Sequence, residues 1–180
     1  MAGSLKDLDH TVITCPTKGG KSFLARQLVA KFRRAGNDVL MCDPLGYSWP
    51  ATWVTTDLDE LMAKAKASRN CALFIDEAGE TELANDPNRY KWFYTASRHQ
   101  GHVCYTMAQD YTQIPLRVRK NAAQLYLFRC DPKEAEEWAR KFHIDRDFIL
   151  RTAPFLPKYE FIRVSSWGRP IGPCRVIPTA

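Results

Sequence analysis

Five apolar runs rich in β-branched and aromatic residues recur along the chain: Thr11-Val12-Ile13-Thr14, Val39-Leu40-Met41-Cys42, Ala72-Leu73-Phe74-Ile75, Val103-Cys104-Tyr105-Thr106-Met107 and Leu125-Tyr126-Leu127-Phe128. Short continuous runs of this kind suit strands buried on both faces of a parallel sheet. Between them, residues 22–35, 57–68, 87–99 and 133–142 have helical composition. Strand and helix in alternation predict a doubly wound α/β sheet with right-handed crossovers. Gly36-Asn37-Asp38 ends the first helix, Asp43-Pro44-Leu45-Gly46 follows the second strand, and Gly101 closes the helix before the fourth. Asp131-Pro132 opens the late helix, with Asp131 as its N-cap. From residue 151 the pattern changes to proline-spaced aromatic pieces, which predict one or two short edge strands and an extended tail. No internal repeat or low-complexity linker interrupts the chain. At 180 residues it is expected to form one domain, 1–180, with a core over 11–150 and a basic extension over 151–180.

The turn after the first strand carries the first chemistry. Cys15-Pro16-Thr17-Lys18-Gly19-Gly20-Lys21-Ser22 matches G-x-x-x-x-G-K-[ST] at every defined position except the first, where cysteine replaces glycine. Gly19 and Gly20 can take positive φ and bring backbone N–H groups close to a phosphate, and the helix N-terminus adds its positive dipole end. Thr17 to Phe23 would then cradle a nucleotide, with Lys21 on the β- and γ-phosphates and the Ser22 hydroxyl on Mg²⁺. Lys18 could lean over the phosphates, although lysines at variable loop positions more often face solvent. The cysteine is tolerable if Cys15 still belongs to the strand and Pro16 starts the loop.

Two acids follow the third run, in Leu73-Phe74-Ile75-Asp76-Glu77. Adjacent carboxylates capping a buried strand are costly unless a cation or polar site receives them. Asp76 is expected to face Mg²⁺ and its waters, and Glu77 the attacking water, as base or orienter. Gln109 ends the fourth strand, where its amide could reach a γ-phosphate. A ring ATPase draws a cation from the next subunit to neutralise charge on the transferred phosphate, and Arg98 and Arg119 are the two candidates. Asp43 fits either a water-polarising group or a turn residue.

Composition narrows the setting. No stretch approaches the ~20 apolar residues of a membrane helix, and the N-terminus lacks a signal-peptide layout, so a cytosolic protein is expected. Cys15, Cys42, Cys71, Cys104 and Cys130 sit in or beside apolar runs and form no C-x-x-C pair, which reads as buried free thiols. Four histidines, at 10, 99, 102 and 143, give a zinc site little to build on. The net charge is +6, but residues 1–116 carry 13 Lys and Arg against 13 Asp and Glu, whereas residues 117–180 carry 13 against 7. A polyanionic partner would be met by the C-terminal third.

Ser97-Arg98-His99-Gln100-Gly101-His102, Tyr105-Thr106-Met107-Ala108-Gln109 and Ile114-Pro115-Leu116-Arg117-Val118-Arg119-Lys120-Asn121-Ala122 together resemble the R-x-x-G, strand-to-Gln, P-x-x-x-R-x-N succession of the FtsK/HerA superfamily. Within it the chain is most similar to compact viral genome-packaging ATPases, of poxvirus type and of tailless internal-membrane phages. The resemblance covers residues 11 to about 130. It implies a three-layer P-loop NTPase of RecA-like (ASCE) type with a mostly parallel sheet and a short C-terminal β or extended region. It also implies Gln109 as sensor glutamine, and a hexameric or similar ring that moves double-stranded DNA through a central pore. A capsid or portal component is a further partner, and a viral protein would work in the host cytoplasm or on the virion. The expected function is therefore an ATP-hydrolysing, Mg²⁺-dependent DNA translocase. The alternatives are a nucleotide-dependent switch or assembly protein and, less well fitted, a small-molecule kinase. Zonula-occludens-toxin-like assembly ATPases also resemble the chain, but usually carry a membrane segment.

Overall fold

The computed structural model describes Leu5 and residues 7–178. The chain runs β1 (Thr11–Thr14), α1 (Lys21–Arg34), β2 (Asp38–Cys42), β3 (Trp53–Thr55), α2 (Leu58–Lys66), β4 (Cys71–Ile75), α3 (Glu82–Asn85), β5 (Val103–Ala108), α4 (Leu116–Asn121), β6 (Gln124–Phe128), α5 (Pro132–Lys141), α6 (Arg146–Thr152), β7 (Glu160–Ser165) and β8 (Ile171–Arg175). All eight strands form one sheet in the order β3-β2-β4-β5-β1-β6-β7-β8. The first six are parallel, and β7 and β8 join antiparallel. Because β4 and β5 are inserted between β2 and β1, the C-terminal tips of three chemistry-bearing strands end side by side.

Alternate residues of each strand feed two cores, one on each sheet face. Ile13, Met41, Phe74, Tyr105 and Phe128 pack with Leu24, Ala25, Val29 and Phe32 of α1. Val12, Leu40, Leu73, Cys104 and Leu127 pack with residues of α2, α5 and α6, including Leu61, Trp138 and Ile149. Helix, sheet and helix thus make the three layers of a mixed α/β P-loop NTPase fold. The helix ends follow local chemistry: Asp57 accepts from the N–H groups of Asp59 and Glu60, and Asp131 from that of Glu134. Among the described residues no helix is long and apolar enough to cross a membrane. The cysteines at 15, 42, 71, 104 and 130 are buried and free.

Residues 87–99 do not form the expected helix. Lys91–Tyr94 and Ser97–Gln100 are separate 3₁₀ turns, preceded by the short α3. Pro87 follows a residue whose carboxylate already accepts from the Arg89 N–H at 3.1 Å, and the Thr95 and Ser97 hydroxyls take the carbonyls of Lys91 and Phe93. Those local bonds compete with the helical ladder, while Tyr90, Phe93 and Tyr94 turn inward and are buried. Gly101 does close its turn, at φ 79. β3, α4 and α6 carry too few periodic residues to stand out in the sequence. The expected tail is structured too: β7 pairs with β6 along its length, and its Phe161, Ile162 and Val164 are buried.

Ahead of β1, His10 is buried, and its Nδ1 accepts from the Cys104 N–H at 3.1 Å. Burial, with the Arg98 charge adding, lowers its pKa to about 4. The Asp9 carboxylate lies 3.8 Å from Arg98, and the Tyr94 ring meets His10 edge-on. Below its ordinary value of about 6.5 the unfolded histidine takes up a proton that the folded one refuses. The contribution of His10 to stability is therefore full above pH ~6.5 and falls, by about 3 kcal/mol in all, as pH drops toward 4. Burial raises the Glu134 carboxyl to about 7, which acts in the opposite direction over the same window. The loss is therefore read as a difference: from pH 7 to 4 the melting temperature of wild type should fall relative to that of His10→Gln, and a constant difference would remove His10 as the cause.

Candidate functional site

The Cys15 N–H donates to the Ala108 carbonyl at 3.2 Å, so the ladder continues one residue past β1 and Pro16 begins the turn. The Cys15 sulfur fills the inside of that turn. A Cβ on Gly19 would lie 2.6 Å from it and 2.9 Å from the Pro16 oxygen, so only glycine fits. The turn also takes Lys18 at φ 62 and Gly20 at φ 123, both in the left-handed half of backbone space. A Cβ on Gly20 would come within 3.1 Å of the Tyr159 ring and 3.2 Å of the Phe128 ring. Burial pushes the Cys15 thiol up to about 12, so the sulfur stays protonated and serves as filler. Helix α1 then starts without a side-chain cap or any acid in its first turn. Its first N–H groups are left to meet an anion.

Lys21 projects from the first turn of α1 toward the tip of β4. Its Nζ lies 2.7 Å from Asp76 Oδ1 and 2.6 Å from Glu77 Oε1, with all three side chains largely buried. The Glu77 N–H also donates to Asp76 Oδ1 at 2.8 Å. Glu77 holds φ 42, a left-handed conformation that a glutamate takes only when its surroundings enforce it. Burial raises the Asp76 carboxyl, outweighing the opposing pull of Lys21 and of the Glu77 N–H.

Gln109, just past β5, joins the two halves. Its Oε1 accepts from the Thr17 hydroxyl at 2.9 Å, and its Nε2 donates to Glu77 Oε2 at 3.4 Å. The Gln109 N–H donates to Gln113 Oε1 at 2.9 Å. A Cβ on Gly79 would lie 3.0 Å from Gln113, so Gln113 braces the tips of β4 and β5 together. Asp43 takes the turn role: it is fully buried and accepts from the N–H groups of Leu45 and Tyr47 and from Trp49 Nε1.

Cys15 to Lys18, Gly20, Lys21, Glu77 and Gln109 line an open cleft of about 600 Å³ that also receives Ser22, Phe23, Leu45, Tyr47, Lys158 and Tyr159. The last four carry no motif; only the proline-spaced aromatic pattern near 154–161 marked part of that wall. Two expected site residues lie elsewhere. Arg98 precedes β5, whose far end meets the turn, and its guanidinium lies 3.8 Å from Asp9. A six-residue strand separates it from the cleft, roughly 20 Å. The Arg119 guanidinium stacks 3.7 Å from the centroid of the Tyr111 ring, and its Nε finds no hydrogen-bond partner among the described residues.

For Mg²⁺ the donor set is one buried carboxylate, Asp76, and one exposed hydroxyl, Ser22. Oxygen ligands of that number suit an ion that keeps most of its sites for phosphate oxygens and water. No cluster of three or more acidic, histidine or cysteine side chains among the described residues makes a self-sufficient metal cage. The residues thus fit a metal that arrives with a phosphate.

No family model matches the chain, and no curated protein does. Among solved structures, the genome packaging NTPase B204 of Sulfolobus turreted icosahedral virus 2, in complex with ATP-gammaS, is similar at a TM-score of 0.68 and 18% identity, over 88% of this chain and 92% of that one. The DNA-packaging ATPase B204 of Sulfolobus turreted icosahedral virus aligns at 0.66 and 19%, over 88% and 92%. The pCW3 conjugation coupling protein TcpA, with ATPgS, aligns at 0.66 and 15%, over 91% of this chain and 59% of that one. The neighbours are thus packaging-type and coupling-type P-loop ATPases, and this chain shares their fold.

Proposed function

We infer that this chain hydrolyses ATP with Mg²⁺ to move double-stranded DNA, as a subunit of a viral genome-packaging motor. The observation that carries the reading is the meeting of Lys21 with Asp76 and Glu77, at 2.7 and 2.6 Å, at a cleft lined by Lys21, Glu77 and Gln109. Gly20 and the start of α1 offer N–H groups to the β-phosphate, with Thr17 and Lys18 lining the same cleft, while the Gly19 N–H is held by the Pro16 carbonyl at 2.9 Å. On binding, Lys21 leaves the two carboxylates for the phosphate oxygens. Glu77, so released, takes the proton of the attacking water, and Gln109 holds that water or reports the γ-phosphate. Asp76 and Ser22 would hold Mg²⁺, which supplies charge neutralisation to the phosphates.

The same geometry favours water over another acceptor, because the Glu77 carboxylate, once Lys21 has left it, stands beside the cleft's phosphate end. Neither Arg98 nor Arg119 reaches its own cleft, as suits a cation that serves the next subunit of a ring; we retain both in that role. The excess of basic residues over 117–180 supports a grip on the DNA backbone without sequence reading. The expected partners are therefore double-stranded DNA, further copies of the chain in a hexamer-like ring, and a capsid or portal component.

Phosphate release measured with and without duplex DNA tests this reading. Stimulation by DNA is expected, and its DNA affinity should fall by about 10³-fold or more between 50 and 200 mM salt, as for a protein covering six or more phosphates. ATP hydrolysis indifferent to DNA would point instead to a nucleotide-dependent switch, and hydrolysis only with an added acceptor to a kinase.

A further inference from the structure

We propose that Tyr159, with Phe23 and Lys158, forms a stacking shelf for the nucleobase, which is held by its π-face so that adenine and guanine nucleotides are both accepted. This rests on reading the cleft as a nucleoside phosphate site.

Tyr159 lies 140 residues from the phosphate loop in sequence, yet its N–H donates to the Gly19 carbonyl at 3.2 Å. Its own carbonyl accepts from the Val176 N–H at 2.8 Å. Held from both sides, it keeps φ 70, a left-handed conformation that is costly for a bulky residue and persists only where neighbours impose it. The result fixes the ring against the loop, 3.1 Å from where a Cβ on Gly20 would stand.

Phe23 follows Ser22 directly in α1, and its ring meets that of Tyr159 edge to face, with centroids 6.2 Å apart at 75°. The Lys158 ammonium sits 4.7 Å from the Tyr159 ring centroid. All three line the cleft that holds Lys21 and Glu77. The aromatic wall therefore begins within one residue of the phosphate and metal ligands, where a nucleoside leaving the phosphates must pass. A flexible, exposed lysine is easily displaced from a ring face by a flat heterocycle, and its ammonium can then donate to a purine N7.

Among side chains, an amide or a carboxylate can read a base edge by paired hydrogen bonds. The amide lining this cleft is Gln109, already engaged by Thr17 and Glu77, and the lining carboxylate is Glu77, paired with Lys21. N7 is common to both purines, so the shelf gives grip with little choice.

Calorimetric titration of the full chain with ADP, GDP and inorganic pyrophosphate, each with Mg²⁺, tests the shelf without turnover. Wild type should bind ADP and GDP within ~10-fold of each other. Tyr159→Asn, whose new residue accepts the left-handed backbone, should weaken both about 10- to 100-fold, the size of one lost base stack, and change pyrophosphate less than ~2-fold. Tyr159→Phe should bind ADP as wild type does. Pyrophosphate binding that falls together with ADP in Tyr159→Asn would show a loop-shaping role and overturn the shelf, as would unchanged ADP affinity. A wild-type preference for ADP over GDP above ~100-fold would overturn face-only recognition. If wild type binds neither ADP nor pyrophosphate, the nucleotide reading itself fails and the shelf with it.

Discussion

Glu77→Gln is expected to slow ATP turnover at least ~100-fold while ATP still binds, because the amide keeps the shape and an acceptor oxygen but cannot take a proton from water. The geometry sharpens that expectation. Glu77 is held in a left-handed turn, beside Gln109 and within 2.6 Å of Lys21, so its carboxylate position is fixed by two neighbours and by its own backbone rather than by chance exposure. Single-turnover phosphate release alongside nucleotide titration separates chemistry from binding. Unchanged turnover would remove Glu77 from the reaction, and loss of binding would make it a structural prop for Lys21.

Lys21→Met should act twice. It removes the cation that meets the phosphates, so ATP should no longer raise the melting temperature. It also strips two largely buried carboxylates of their shared partner, and breaking such an arrangement from one side costs about 3–5 kcal/mol. For a chain of 180 residues that corresponds to a melting temperature lower by about 6–20 °C. The pH dependence has a definite sign. Burial already raises the Asp76 carboxyl, and losing Lys21 raises it further. A folded acid with a raised pKa keeps a proton that the unfolded chain has released, so stability falls as pH rises through that window and returns on acidification. The deficit against wild type should therefore shrink below neutral pH. A deficit that stays constant from pH 7 to 5 would mean that the carboxylates do not carry it.

Much of this site was legible as sequence because its chemistry needs particular residue types in order. Gly19, Gly20 and Lys21 must adjoin a helix start, and Asp76 and Glu77 must end a strand, so pattern and spacing alone placed them. The five buried runs were legible for the same reason: strands covered on both faces have almost no polar residue. The segment 87–99 misled because its aromatics and lysine suit a helix in composition, while Asp86, Thr95 and Ser97 spend their side chains on the backbone. Lys158 and Tyr47 stayed hidden, and Tyr159 showed only as part of an aromatic pattern, because they meet the cleft through tertiary placement, and no local period marks such a role. Gln113 was equally invisible, since its work is to hold another residue's backbone N–H.

The hydrogen bond between Tyr159 and Gly19 sets an order of events during synthesis. The loop leaves the ribosome early, but its partner follows 140 residues later, a wait on the order of 10 s at ordinary rates of elongation. Until the last strands arrive, the nascent chain carries the Gly-Gly-Lys-Ser stretch without the wall that completes it. Chains cut short before residue 160 should therefore be born without a finished pocket, even though every residue of the motif has been translated.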